Sequence, residues 1–166
     1  MSVDPRFWLE GNSAEPRLPA SWRARPGSFT ALMSLYESNH RRLDALAGEL
    51  AQLDGWRSSS VAGDCELVLA VTERSPYTTD CELTYRFEEG SDIPSSPDLI
   101  VRVYHDARLV EAHSWARAHQ HPLLQGWRAC MTNTLDERWA RNVMLNKWLE
   151  YCLERGHGFT RLRAVP

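Results

Sequence analysis

The sequence predicts an α+β domain, a four-stranded antiparallel meander sheet packed by an N-terminal and a C-terminal helix that lie against one of its faces. Apolar residues recur at helical spacing in two stretches, residues 28–53 and 134–155. Between these stretches, four runs alternate apolar and polar residues with a period of two, as half-buried strands do. Turn signals separate the runs, so consecutive strands pair as neighbours.

Residues 1–27 hold four of the nine prolines and no sustained period, which predicts an irregular arm that Phe7, Trp8 and Trp22 can still anchor. Ser28 is the expected N-cap of a helix running to about Leu53, with the stripe Phe29, Leu32, Tyr36, Leu43, Leu46, Leu50 and Leu53. Asn39 interrupts that stripe as either a satisfied core amide or a ligand contact. After Asp54-Gly55 the period changes to two. Cys65, Leu67, Leu69 and Val71 form one core face, and Cys81, Leu83, Tyr85 and Phe87 form the next. A Gly/Pro/Ser-rich connection, residues 89–98, leads to the second pair of strands.

That second pair is the hairpin Leu99–Ala112. A two-residue turn at Asp106-Ala107 pairs His105 with Arg108, Val103 with Val110, Arg102 with Glu111 and Val101 with Ala112; Ala107 fits a primed turn poorly, which leaves a longer loop open as the alternative. Val101, Val103, Val110 and Ala112 then face the core. Arg102 lies opposite Glu111 as a cross-strand ion pair contributing about 0.2–1 kcal/mol. Residues 115–132 show no clear period. Thr134 with Glu137 is a capping-box pattern opening the last helix, which runs to about Arg155 before Gly156, with Leu145, Trp148, Leu149 and Cys152 facing inward. Asn142 lies on that face, so it and Asn39 can meet or jointly support the sheet edge. The expected organisation is an arm at 1–27, one domain at 28–160 and a tail at 161–166.

With 43% hydrophobic and 25% charged residues in 166, the chain has the profile of one soluble globular domain. A formal charge of -3 argues against a nucleic-acid surface, despite Arg6, Arg17, Arg23 and Arg25 in the arm. No apolar run reaches the length of a membrane span and no signal peptide opens the chain, so a cytoplasmic location without membrane attachment is expected. Cys65, Cys81, Cys130 and Cys152 have no Cys-x-x-Cys spacing and read as reduced packing residues.

The chain resembles the YqiB-like family of uncharacterised proteobacterial proteins, a domain of unknown function. The resemblance is carried by Glu37-x-Asn39 with Leu43, Tyr77-Thr78-Thr79, Val101-Arg102-Val103-Tyr104-His105-Asp106-Ala107, and Asn142 with Trp148-Leu149-x-Tyr151-Cys152-Leu153. It implies a cytoplasmic bacterial protein and brings no activity, substrate or catalytic residue. The N-terminal arm lies outside it.

A meander places the loop after its first strand and the turn after its third at the same end of the sheet. Tyr77, Thr78 and Thr79 should therefore neighbour Tyr104, His105 and Asp106, with Glu73 and Arg74 close by. With Arg102, Glu111, Asn39 and Asn142 they make up the candidate ligand-binding set. The plainer alternative is that the threonines cap their loop and Asp106 closes its own turn. As chemistry, His105 is the best candidate for a general base, with Tyr77, Tyr104 or Asp106 as partner. His113, His119 and His121 are a weak metal constellation of non-standard spacing. No cofactor loop is present and no cofactor is expected. The leading expectation is a binding or regulatory module whose sheet edge holds a small molecule or protein. The alternatives are a small hydrolase or lyase using His105, and a docking protein working through Trp8, Trp22 and Trp115.

Overall fold

The computed structural model describes residues 27–86, 99–115 and 134–159. The arm, the 89–98 connection, Cys130, His119 and His121 lie outside these residues. Ser28 caps the first helix as predicted, its side chain accepting from the Ala31 amide at 3.2 Å. The helix, α1 (Phe29–Ala47), buries Leu32, Tyr36, Asn39, Leu43 and Leu46 along one stripe. It stops at Ala47 rather than near Leu53. Gly48 takes a positive φ of 77° with ψ -153°, a backbone region open essentially to glycine alone, and its N–H bonds the Asp44 carbonyl at 2.7 Å. A 3₁₀ turn (Leu50–Gln52) follows, so Leu50 and Leu53 stay buried after the α-helix has ended. Phe29, expected on the inner stripe, is instead 66% exposed at the first helical position.

The sheet has five strands, not four: β1 (Trp56–Ser59), β2 (Glu66–Arg74), β3 (Thr78–Arg86), β4 (Leu99–Tyr104) and β5 (Leu109–Trp115). They pair in sequence order and every neighbour is antiparallel. The unforeseen strand is β1. Trp-Arg-Ser-Ser carries no apolar alternation, and it joins the sheet through backbone pairing with Leu67–Ala70 rather than through a buried face.

One alternating set of side chains faces the helices: Leu67 and Leu69 of β2, Cys81 and Leu83 of β3, Val101 and Val103 of β4, Val110 and Ala112 of β5. The last helix, α2 (Thr134–Arg155), adds Leu145, Trp148, Leu149 and Cys152 to the same cluster. Each Leu or Val so buried contributes about 1.5–3 kcal/mol.

The β4–β5 register is the expected one, with Val103 opposite Val110, Arg102 opposite Glu111 and Val101 opposite Ala112. The turn is longer than two residues. Pairing ends at Tyr104 and Leu109, leaving His105–Arg108 as a four-residue connection with Arg108 at φ 52°. The expected Arg102–Glu111 ion pair is absent. Asp80, the register partner of Arg102 on β3, takes the guanidinium through two bonds of 2.7 Å. Two parallel bonds to one carboxylate hold a planar guanidinium better than one.

The free edge of β5 is closed by side chains from both helices. Asn39 Nδ2 donates to the Val110 carbonyl at 3.4 Å, Asn142 Oδ1 accepts the Ala112 N–H at 2.8 Å, and Arg141 Nε donates to the Ala112 carbonyl at 3.3 Å. The two asparagines also bond each other at 3.2 Å. The network continues through Asn146, which donates to Asn39 Oδ1 at 2.9 Å, and Arg42, which donates to Asn146 and Glu150. Backbone groups that would otherwise recruit another strand are thus satisfied inside the molecule.

Candidate functional site

The β2–β3 and β4–β5 connections lie side by side at one end of the sheet. Thr78 pairs with Tyr104, and the His105 N–H donates to the Tyr77 carbonyl at 2.9 Å. Successive strand residues point to opposite faces, and this splits the neighbours into two groups. In one group, the Tyr104 hydroxyl donates to Glu111 Oε2 at 2.9 Å, beside the Arg102–Asp80 pair. Glu111 is only 5% exposed. Burial first, and then the Glu111 carboxylate, push the Tyr104 phenol above its ordinary pKa. His113, exposed, stands with Nδ1 3.9 Å from Glu111 Oε1.

On the helix side, Thr79 and His105 meet. The buried Thr79 hydroxyl shares a 2.8 Å hydrogen bond with His105 Nε2. None of the three expected partners, Tyr77, Tyr104 or Asp106, hydrogen-bonds the ring with its side chain. Tyr77 is 69% exposed, the Tyr104 hydroxyl serves Glu111, and Asp106 Oδ1 accepts the Ala107 N–H within its own turn at 2.9 Å. Asn39 and Asn142, both 0% exposed, hold the β5 edge.

His105 lines an open groove of about 830 Å³. The turn contributes His105, Ala107 and Arg108, and α1 contributes Glu37, His40, Arg41 and Asp44. These four α1 residues fall at positions i, i+3, i+4 and i+7, one polar stripe beside the buried one. Glu49, Leu50 and Ala51 close the far side. Arg74 braces that side from behind, donating to the Leu53 carbonyl at 2.6 Å and to the Ala51 carbonyl. Burial, and then the Arg74 charge, lower the His105 pKa, while Asp106 opposes them. Burial also lowers the His40 pKa, with Arg108 and His105 in the same direction and Asp44 opposing. Two neutral imidazoles therefore share one groove with two guanidiniums. Arg108 is the one non-glycine residue with positive φ among the described residues, a backbone state costing a side-chain-bearing residue about 1 kcal/mol.

A second imidazole–hydroxyl pair sits at the opposite end of the sheet and was not foreseen. Ser59 pairs with Leu67, which pairs with Tyr85 near the end of β3, whereas Thr79 stands at its start. His157 Nδ1 lies 3.2 Å from Ser59 Oγ and its Nε2 3.3 Å from Asp64 Oδ2. Ser59 Oγ also accepts the Gly158 N–H at 3.0 Å. Asp64 accepts in addition from the Cys65 N–H at 2.8 Å and from Arg155 Nε at 3.2 Å. Burial opposes the Asp64 charge, but the Cys65 amide, Arg155 and His157 outweigh it and hold the pKa below the ordinary carboxylate value. Ser, His and Asp are hydrolase residues, but the His157 side chain is 0% exposed, so no substrate reaches the ring. The sequence signal was Gly156-His157-Gly158 directly after the last helix, where the chain turns back and bonds Phe159 N–H to the Leu46 carbonyl at 2.7 Å.

Among the described residues, no group of three or more His, Cys, Asp or Glu side chains could hold a metal ion. Burial pushes the Cys81 thiol up to about 12 and the Cys152 thiol up to about 11, so neither supplies a thiolate near neutral pH. No helix among the described residues is long and apolar enough to cross a membrane.

The described residues thus form an α+β domain with two α-helices on one face of a five-stranded antiparallel meander and an open polar groove at one end. The family model described as "Protein of unknown function (DUF1249)" matches residues 42–158, and the chain belongs to that family. The matched span includes the His105 turn and the His157 cluster, whereas His40 and Arg41 precede it. No curated protein and no solved structure matches the chain.

Proposed function

We propose that this protein is a small binding module of the YqiB-like kind, acting in the bacterial cytoplasm, whose ligand occupies the groove between α1 and the His105–Arg108 turn. The observation that carries this reading is the convergence of unsaturated polar groups from two elements on one open space. His105 has Nε2 committed to Thr79, His40 forms no hydrogen bond with a described residue, and Arg41 and Arg108 are exposed without a partner among the described residues. Tyr77 and Thr78 adjoin the His105 turn, Tyr77 accepting the His105 N–H at its carbonyl and Thr78 pairing with Tyr104. Asn39, Asn142, Asp80, Arg102 and Glu111 supply the frame rather than the contacts, since each is bonded within the fold.

The test is a thermal-shift screen of the full chain against nucleotides, phosphorylated metabolites, organic acids, amino acids and divalent metals. A ligand at a hundredfold excess over its dissociation constant stabilises the native state by about 2.7 kcal/mol. The expected result is a shift with one chemical class that His105→Gln abolishes without lowering the stability of the unliganded protein. A shift of equal size in wild type and His105→Gln would place the ligand elsewhere and end the proposal, as would no shift across the panel.

A further inference from the structure

We propose that the turn end of the groove binds an oxyanion, the phosphate or carboxylate group of a small anionic molecule. This rests on the groove being the binding site and specifies what it takes. Several arginines of the domain are held by partners within the fold. Arg42 is committed to Asn146 and Glu150, Arg74 to two carbonyls, Arg102 to Asp80 and Arg155 to Asp64. Arg41 and Arg108, both exposed and both lining the groove, hold no such partner among the described residues. A free guanidinium presents a planar fork of donors that matches phosphate and carboxylate oxygens.

Arg108 adds an independent observation. It occupies a left-handed backbone position at φ 52° that glycine or asparagine would fill at less cost, so the turn carries a strained arginine beside an open site. Negative groups also line the groove. Glu49 bonds Gln52, while Glu37 and Asp44 lie one helical turn before Arg41 and one turn after His40 on the surface of α1. The polar side chains that the facing turn contributes to the groove are Arg108 and His105, with the Arg74 charge behind them and no carboxylate.

An anion placed there also reverses what keeps the rings neutral. His105 is faced by Thr79 of β3, Arg74 of β2, Asp106 of the turn and His40 of α1; His40 is faced by Asp44, Arg108 and His105. A bound negative charge raises both imidazole pKa values, so binding takes up a proton and tightens as pH falls.

The experiment is calorimetry of the full chain with pyrophosphate and, separately, with citrate, at about pH 8 and about pH 6, in buffers of different ionisation enthalpy. Histidine ring resonances are followed in parallel. Either anion should bind with proton uptake and shift the His105 and His40 resonances, and which one binds distinguishes phosphate from carboxylate. Arg108→Gly suits the left-handed backbone and so preserves the turn; it should weaken binding at least about tenfold. His105→Gln should reduce the pH dependence beyond the ligand's own titration, which is common to both proteins, and His105→Gln with His40→Gln should remove it. If neither anion moves these resonances while lysine or a diamine does, the groove stands and the oxyanion is overturned. If none of these probes moves them, the groove reading falls as well.

Discussion

The two ends of the sheet carry the same pair of groups and use them differently. At one end the Thr79 hydroxyl holds His105 at 2.8 Å beside an open groove; at the other the Ser59 hydroxyl holds His157 at 3.2 Å inside the fold. The surroundings account for the difference. His157 has a partner for each ring nitrogen, Ser59 and Asp64, and ties the chain after α2 to β1. His105 has one nitrogen anchored and a ring facing solvent-accessible space shared with His40, Arg41 and Arg108. An imidazole with every polar atom satisfied is a clamp. An imidazole oriented by one bond beside an open groove keeps capacity for a further partner, the role we propose for His105.

The largest expected effect comes from breaking the clamp. His157→Ala leaves Ser59 and Asp64 without their ring partner in a buried setting, and urea denaturation should show a loss of about 2–4 kcal/mol. His105→Gln should change stability by less than about 1 kcal/mol. Comparable losses at the two ends would break the comparison. Next is Asn142→Ala, which strands the Ala112 N–H and one donor of Asn39 at the β5 edge that both ends share. A cost of about 2–3 kcal/mol is expected in the same assay, together with a greater tendency to self-associate by light scattering.

pH separates the ends further. The groove histidines have folded pKa values below the ordinary 6.5, so the unfolded chain binds more protons as pH falls below that value. Their contribution to stability is complete above 6.5 and is lost as pH drops toward their folded values. Asp64 is a carboxylate held below the ordinary 3.8, and its contribution is complete above 3.8 and lost below it. Urea midpoints measured across pH should decline in two stages. His105→Gln should flatten the first stage and Asp64→Asn the second. The smallest effect is at Tyr77, 69% exposed beside the groove. Tyr77→Ala should alter the urea midpoint by no more than about 0.5 kcal/mol equivalent, so any larger change in ligand affinity would assign its ring to recognition.

What was legible in the sequence follows the strength of the burial pattern. Strands β2 to β5 declare themselves because Leu67, Leu69, Cys81, Leu83, Val101, Val103, Val110 and Ala112 sit on one face at a period of two, and a one-residue slip would expose them all. The β4–β5 register was readable for the same reason, and the adjacency of Tyr77–Thr79 to Tyr104–Asp106 follows from meander topology. The meeting of Asn39 with Asn142 was readable from two amides on inward stripes. β1 was not, since Trp-Arg-Ser-Ser is held by backbone pairing that leaves no mark on side-chain order. The choice of Asp80 over Glu111 by Arg102 was also hidden, because both flank it in the sheet and only side-chain geometry decides. The part of α1 that completes the groove was hidden too: Glu37, His40, Arg41 and Asp44 look like any solvated helix face until the turn is placed opposite them.

The contrast between an open and a sealed imidazole is tested most directly by carbethoxylation of the native protein, with modified histidines located by mass spectrometry and the reaction repeated in saturating pyrophosphate or citrate, whichever binds. The expected result is modification of His40 and His105, protection of His105 by the bound anion, and no modification of His157 until the protein is unfolded. Modification of His157 at the rate of His105 in the folded protein, or an anion that binds without protecting His105, would contradict the account.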